Sequence, residues 1–446
     1  MTRRLPWLAL LVLVVGLALH NLVMALLWQA GVRGTALDAA AAWKEALLLA
    51  ALAAALWGAG RVPVELWADR LALAYGAVVV LYWLLPQSWL DGDATARGEL
   101  LALRHHLLPV AGYFLGRLLL LSDERWRRIG AVLAGLAVAV AVWGLVDVYA
   151  VPLDWWRDSG VPGWFREQLD LRYRCLSGLP ENWIYNTGDE TDPLRRVVST
   201  FLSPLATSYL LVAVLLYLAS GRVTRLRVAA GAVAYAALLF THTRAALLAL
   251  GLGLLVLAAA QRRWAPALLA GGSLAVSAAV LAAFSSVGPG TSYTAAELTC
   301  LRQQAAEEGP TSGDAFSAGE ASVDSHLRNL RDGIETVLEH PWGYGLGNAG
   351  VNASRTGVEI KAGESTYTEL GVDSGLAGAL LLLGWLAALA AGLWRRSAWL
   401  AATIVSVAAI GVQTDVVGVH WIAVVVFALA GAALSRAPND RWRPAA

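Results

Sequence analysis

The sequence predicts an all-α, polytopic integral membrane protein with about twelve transmembrane helices and two large extracytoplasmic loops. Three observations lead there. Hydrophobic residues make up 58% of the 446 and charged residues 15%, against a usual ~45–50% and ~25%. The apolar excess falls in blocks of about 20 residues, long enough to cross a ~30 Å hydrocarbon core as helices. Basic residues then gather at alternate ends of those blocks. This patterning excludes a soluble enzyme, a secreted disulfide framework and a disordered chain. A net charge of +1 gives no reason to expect a nucleic-acid partner.

The blocks run approximately over 6–30, 36–59, 68–88, 99–121, 127–151, 200–220, 225–241, 243–260, 265–287, 366–394, 397–413 and 418–435. Arg3 and Arg4 before the first run resemble the start of a signal peptide. The run continues past Leu27 with no convincing cleavage site, so it reads as the first span. One side of the chain carries seventeen arginines (Arg3, Arg4, Arg61, Arg70, Arg125, Arg127, Arg128, Arg222, Arg225, Arg227, Arg262, Arg263, Arg395, Arg396, Arg436, Arg441 and Arg443). The short connections opposite carry Arg33, Arg97 and Arg244. By the positive-inside rule both termini are cytoplasmic.

The chain divides accordingly into 1–151 with spans one to five, 152–198 as a first extracytoplasmic loop, 199–287 with spans six to nine, 288–365 as the large second loop, and 366–446 with the last three spans and a cytoplasmic tail. The two loops hold the two cysteines, Cys175 and Cys300. Both face an oxidising compartment, so a disulfide tying the loops together is expected, the alternative being two free or buried thiols. The first loop opens Pro152-Leu-Asp-Trp-Trp and continues to Trp164. With twenty Trp in the chain this fits an interfacial aromatic belt; a more specific reading is a platform for sugar rings or a lipid headgroup. In the second loop Thr291 to Ala321 is small, acidic and expected to be mobile. An amphipathic helix follows, with Leu327, Leu330, Ile334, Val337 and Leu338 at helical spacing and Asp324 as its N-cap. After His340-Pro341 come Gly343, Gly345, Gly347 and Gly350. They do not form a phosphate-binding fingerprint, because no strand precedes them and no helix clearly follows.

Chemistry is expected where ionisable groups meet the outer membrane face. Arg244, in Thr241-His-Thr-Arg244, breaks the local charge rule there and calls for a partner. Arg195 and Arg196 stand at the same level, just before the sixth span. Three guanidinium groups together suit a diphosphate, because arginine offers bidentate donors to phosphate oxygens; singly, each could snorkel to headgroups. Glu364, where the second loop re-enters the membrane, could take a proton from a hydroxyl or simply complement a helix N-terminus. Glu369 and Asp373 are its neighbours along the helix. His326 and His340 are further candidates, although His340 before Pro341 also suits a helix end. No Cys/His or paired-carboxylate spacing suggests a metal, and no cofactor is expected.

These residues resemble a known family. Arg196-Val-Val-Ser-Thr-Phe-Leu-Ser-Pro204 resembles the R-x-x-G-T-F-x-x-P stretch of bacterial O-antigen ligases and related polysaccharide polymerases. Thr241-His-Thr-Arg244 is similar to their T-x-S-R motif. Arg328 through His340-Pro-Trp-Gly-Tyr-Gly-Leu-Gly347 resembles their R-then-helix-then-P-x-x-G-x-G segment, with one residue fewer after Pro341. Where the ligases carry His, then a polar residue, nine residues, Gly, two residues and Gly, Thr or Tyr, this chain has Glu364, Ser365, Gly375 and Gly378.

The resemblance implies a twelve-helix fold in the bacterial cytoplasmic (inner) membrane, with the active site facing outside. It implies a polyprenyl-diphosphate-linked oligosaccharide as donor and a glycan or glycolipid hydroxyl as acceptor, amid membrane lipids. Arg196 and Arg244 become diphosphate ligands, helped by Arg195 or Arg328. Glu364 takes the place of the family's base, with His326 or His340 as substitutes. The expected reaction is metal-independent, inverting glycosyl transfer. A ligase and a polymerase of lipid-linked repeat units both fit, and a solute transporter is the non-enzymatic alternative. A transporter would place its charges near the bilayer midplane, where Lys44, Glu45, Arg104, Arg117 and Asp147 are the residues to watch.

Overall fold

The computed structural model describes residues 5–185, 193–308 and 321–436. Arg3, Arg4, Arg441 and Arg443 of the charge count, and positions 309–320 of the acidic segment, lie outside the described residues. The fold is nearly all-α. The helices are α1 (Leu5–Gln29), α2 (Gly34–Ala41), α3 (Trp43–Ala59), α4 (Trp67–Leu84), α5 (Ala96–Leu118), α6 (Asp123–Ala150), α7 (Pro204–Ser220), α8 (Arg225–Phe240), α9 (Arg244–Gln261), α10 (Trp264–Ala282), α11 (Ala295–Glu308), α12 (Ala321–Glu339), α13 (Gly350–Thr356), α14 (Thr366–Leu393), α15 (Ala398–Ile410) and α16 (Phe427–Leu434), with shorter turns between. A π-helical turn, Ile422–Val426, runs directly into α16. Two short strands, β1 (Ile184–Tyr185) and β2 (Leu194–Arg195), pair antiparallel with Ile184 opposite Arg195.

Among the described residues seven segments are long and apolar enough to cross a membrane: Leu5–Gln29, Gly34–Ala59, Trp67–Leu84, Asp123–Ala150, Arg244–Gln261, Trp264–Ala282 and Thr366–Leu393. The other expected spans are helical over most of their length but shorter or more charged. Pro204–Ser220 and Arg225–Phe240 have 17 and 16 residues, or about 25 Å at ~1.5 Å per residue. The 23-residue α5 carries Arg97, Glu99, Arg104 and Arg117. Helix starts are set by side-chain caps: Thr95, Ser122, Ser203 and Thr224 each accept from the backbone N–H three residues on.

Without a hydrophobic drive between helices in lipid, close backbone approach holds a membrane bundle together. Helices α5 and α16 show it. A Cβ on Gly116 would stand 1.8 Å from the Ala428 carbonyl oxygen, and one on Gly431 would stand 2.2 Å from the Tyr113 carbonyl oxygen. Beside this contact Trp385 packs against Phe427, Tyr113 and Tyr75 at centroid distances of 4.9, 5.5 and 5.9 Å. Some charges that enter the bundle are closely paired. Arg117 grips Asp69 through two nitrogens at 2.7 and 3.0 Å, and the Tyr113 hydroxyl donates to the same carboxylate at 2.6 Å.

The first loop folds over a second hydrophobic cluster that includes Trp156, Trp164, Trp183 and Val198. Its tryptophans therefore differ from the expected belt: Trp156 and Trp164 are buried, and only Trp155 of the three is exposed. The Trp156 indole donates to Asp147 at 2.6 Å, which anchors the cluster to the end of α6. Cys175 and Cys300 form a disulfide between the two loops, with a Cα–Cα distance of 5.3 Å. Arg157 on Glu297, at 2.6 and 3.0 Å, and the Ser177 hydroxyl on the same carboxylate reinforce that junction. In the second loop, part of the stretch expected to be mobile is α11. Helix α12 starts at Ala321, so Asp324 lies inside its first turn rather than capping it. Of its expected apolar face only Val337 is buried; Leu327, Ile334 and Leu338 are exposed.

Candidate functional site

Two sequence-distant segments meet at the turn between α8 and α9. The Arg196 guanidinium donates from Nε to the Thr241 carbonyl at 2.8 Å and from Nη2 to Thr243 Oγ1 at 3.2 Å. The Val197 N–H donates to the Phe240 carbonyl at 2.9 Å. The Arg196 stretch is thus stitched to Thr241-His-Thr-Arg244, and the two motif arginines share one turn. His242 sits inside it, packed at a tilt against the rings of Tyr185 and Phe284 with centroids 4.0 and 4.4 Å away. Burial, followed by the charges of Arg196 and Arg244, pushes its imidazole down to about 3. A neutral histidine fills the turn because two cations already act on it. Upstream, Ser199 stands where the family pattern has Gly, and its φ of 49° explains that glycine: the backbone is left-handed here. Ser199 Oγ donates to the Val140 carbonyl at 2.7 Å.

Arg195 differs from the expected clamp. It is 2% exposed and points the other way, into α6. Its Nη2 lies 3.2 Å from both Asp147 carboxylate oxygens and its Nη1 donates to the Asp147 carbonyl at 3.1 Å. Adjacent positions on an extended strand face opposite sides, so one arginine of the pair serves the bundle and the other the turn. Asp147, watched as a transport charge, is the structural partner of Arg195 and Trp156.

The second cluster forms where α12 crosses the start of α14. The crossing is close because a Cβ on Gly333 would meet Thr368 at 2.9 Å and one on Gly371 would meet Val337 at 2.6 Å. It brings His326 against Glu364, and Nδ1 of the imidazole pairs with Oε2 of the carboxylate. This bond, partly opposed by burial, holds the Glu364 carboxyl below the usual carboxylate range. Glu364 has a φ of 68° and its own N–H donates to Glu369 Oε1 at 2.9 Å. The imidazole and the carboxylate are 32% and 43% exposed, so both can be reached from solvent.

The remaining candidates are placed by the glycine loop. Helix α14 is broken at Ser374 and Gly375, the latter at φ 66°. The break leaves the Val372 carbonyl and the Leu376 N–H without helical partners. The loop supplies both: Tyr344 N–H donates to Val372 at 2.7 Å and Leu376 N–H donates to Pro341 at 2.8 Å. A Cβ on Gly343 would sit 2.5 Å from the Gly375 nitrogen, so the two glycines allow the loop to lie on the kink. Asp373 is buried, accepts from the Gly347 and Asn348 N–H groups at 3.1 and 3.2 Å, and faces His106 Nε2 at 3.0 Å. Glu369 is buried under Gly350. Both rivals of Glu364 therefore tie the glycine loop to the bundle. His340 follows the last residue of α12, stacks on Tyr344 at 4.1 Å and faces the Leu90 carbonyl at 3.3 Å, away from His326. Arg328 is exposed on α12, two residues after His326.

Sequence reasoning missed the histidine–carboxylate contacts His106–Asp373, buried, and His105–Asp415, half-buried, at 3.0 and 3.2 Å. The adjacent histidines on one apolar helix were the signal, and their carboxylates lie hundreds of positions downstream. Among the described residues no group of three or more His, Cys, Asp and Glu is arranged to hold a metal ion.

Residues 228–383 match the O-antigen ligase family. The match contains Arg244, His326, Arg328, Glu364 and the whole glycine loop, and begins after Arg196. No curated protein matches the sequence. Over that stretch, about a third of its length, the chain is similar to the O-antigen ligase family, and apolar helices long enough to span a membrane accompany the likeness.

Proposed function

We propose that the protein is a glycosyltransferase of the cytoplasmic membrane, crossing it twelve times with both termini inside and its site outside. It transfers a glycan from a polyprenyl-diphosphate carrier to an acceptor hydroxyl. The observation that carries the reading is the paired and part-exposed His326 and Glu364 within the segment that matches the ligase family. With Nδ1 bonded to the carboxylate, Nε2 is the nitrogen that takes a proton. Glu364, held ionised, fixes the ring and stabilises the imidazolium that forms. A carboxylate held below its usual range is the weaker base, and the imidazole Nε2 is not engaged by the bond to it. His326 is therefore the base and Glu364 its positioning partner.

In the reaction the acceptor hydroxyl gives its proton to His326 Nε2 as its oxygen attacks the anomeric carbon. The bond from that carbon to the diphosphate oxygen breaks, configuration inverts, and the polyprenyl diphosphate leaves as an anion. Arg196 and Arg244, held at one turn, stabilise the charge that builds on it; Arg328 is placed on the helix that carries the base. Arg195, committed to Asp147, takes no part. Acceptor identity separates a ligase from a polymerase, and the same atoms serve both.

The test is release of polyprenyl diphosphate from a lipid-linked oligosaccharide by purified protein, with products resolved by size. His326→Ala should lower turnover by about 10²–10⁴, and Glu364→Gln by less. A ladder of lipid-linked multimers identifies a polymerase and a single transfer a ligase. No release with cognate donor and acceptor would refute the reading.

A further inference from the structure

A cavity of about 500 Å³ opens under the first loop, between α1, α3, α5 and α13. This is within the ~300–1,000 Å³ of small-molecule sites. None of Arg196, Arg244, His326 or Glu364 lines it. Its wall holds Lys44, Glu45, Arg104 and Arg355, with Trp164 and His20 beside them. Unlike Arg117 and Arg195, none of these cations meets a carboxylate at close range among the described residues. Lys44 donates to the Ala41 carbonyl at 2.8 Å and Arg355 to the Leu169 carbonyl at 2.6 Å, while Asp38 in the same wall accepts from Gln168. Lys44 and Arg104 stand 3.4 and 3.6 Å from Glu45, beyond good hydrogen-bond length. Among the described residues neither Glu45 carboxylate oxygen has a hydrogen-bond partner, and neither does Arg104 Nε or the indole N–H of Trp164, a residue only 1% exposed. Burial and the nearby Arg104 and Arg97 charges push the Arg355 guanidinium down to about 10. Buried polar groups are ordinarily satisfied, and each orphan costs about 1–3 kcal/mol.

We propose that this cavity binds an anionic sugar, its carboxylate or phosphate held by Arg104, Arg355 and Lys44 and its ring hydroxyls accepting from Trp164 and His20. The Trp43 indole donates to His20 Nδ1 at 3.2 Å, which leaves the N–H on Nε2. An anion relieves the crowding of three cations. Hydroxyls satisfy a lone indole N–H and a carboxylate, which an acyl chain would not. The proposal rests on the outer-face glycan-transfer reading for the supply of saccharide, and places an acidic unit of the donor or acceptor glycan away from the reacting bond.

The test is calorimetric titration of the full-length protein in neutral phosphatidylcholine nanodiscs with digalacturonate, glucose 1-phosphate and lactose. At least one anionic probe should bind about tenfold or more tightly than lactose. Arg104→Gln and Arg355→Gln should each weaken it by about tenfold or more, whereas His326→Ala should bind as wild type. Equal affinity for lactose, or unchanged binding in both arginine variants, would overturn the proposal. So would loss of saccharide binding on adding phosphatidylglycerol, which would assign the cavity to a lipid headgroup. Diphosphate-lipid release is read on the same preparations. Release without saccharide binding counts against the cavity alone, and binding without release counts against the transferase reading alone.

Discussion

Arg195 and Arg196 are neighbours in the chain and differ in everything that matters to function. Arg195 lies at the first loop's root, 2% exposed and facing the Asp147 carboxylate. Arg196 is half-buried and reaches the turn that carries Arg244, donating to the Thr241 carbonyl and the Thr243 hydroxyl. A buried guanidinium matched by a carboxylate is part of the scaffold; Arg196 instead ties two sequence-distant segments together at a less buried turn. The same contrast separates Asp373, which takes two backbone N–H groups and faces His106, from Glu364, which meets His326 at an exposed edge.

The largest expected effect breaks the scaffold side of that comparison. Asp147→Ala leaves the Arg195 guanidinium buried without its carboxylate, which should cost about 3–5 kcal/mol. It should appear as a large fall in melting temperature or in folded yield; a variant as stable as wild type would show that Arg195 needs no partner. Gly343→Ala comes next. It forces a left-handed alanine whose Cβ meets the Gly375 nitrogen, at a cost of about 1–3 kcal/mol, and thermal unfolding reads it directly. An unchanged melting temperature would mean that the loop can leave the kink.

Acid should loosen the turn. His242 is held at about 3 when folded against an ordinary value of 6.5. Its folded value is depressed, so the unfolded chain binds the proton first as pH falls. Its contribution is present above about 6.5 and is lost progressively towards 3. Unfolding followed from pH 7 to 4 should show this loss, and His242→Gln should flatten the profile; identical profiles would remove His242 as the cause. The smallest effect belongs to Ser199→Gly. Relief of the positive φ, up to ~1 kcal/mol, offsets loss of the bond to Val140, also ~1 kcal/mol. The melting temperature should stay within about 2 °C. A large fall would mean that the hydroxyl outweighs the backbone strain.

The membrane-embedded character was legible because hydropathy is local: each block declares itself within about 20 residues. The pairing of Arg196 with the Thr241–Arg244 turn was legible only as two motifs expected at one level, not as a contact. The fate of Arg195 was not legible, because its partner lies 48 positions away on another helix. Nor was the pairing of Glu364 with His326, which depends on the close crossing that Gly333 and Gly371 permit. The glycine series runs into a helix that the sequence did not reveal, Gly350–Thr356, and its purpose, to cover a broken helix, appears only when Gly375 is seen at φ 66°. Lys44, Glu45 and Arg104 read as isolated charges in apolar helices until the first loop roofs them into one cavity.

The central claim is that His326, positioned by Glu364, takes the acceptor proton. The most direct measurement is the turnover of polyprenyl-diphosphate release by wild-type, His326→Ala and Glu364→Gln proteins at matched folding. The account predicts a loss of about 10²–10⁴ for His326→Ala, a smaller loss for Glu364→Gln, and little change in donor affinity for either. Wild-type turnover in His326→Ala, or a greater loss in Glu364→Gln, would contradict it and return the role of base to the carboxylate or to another group.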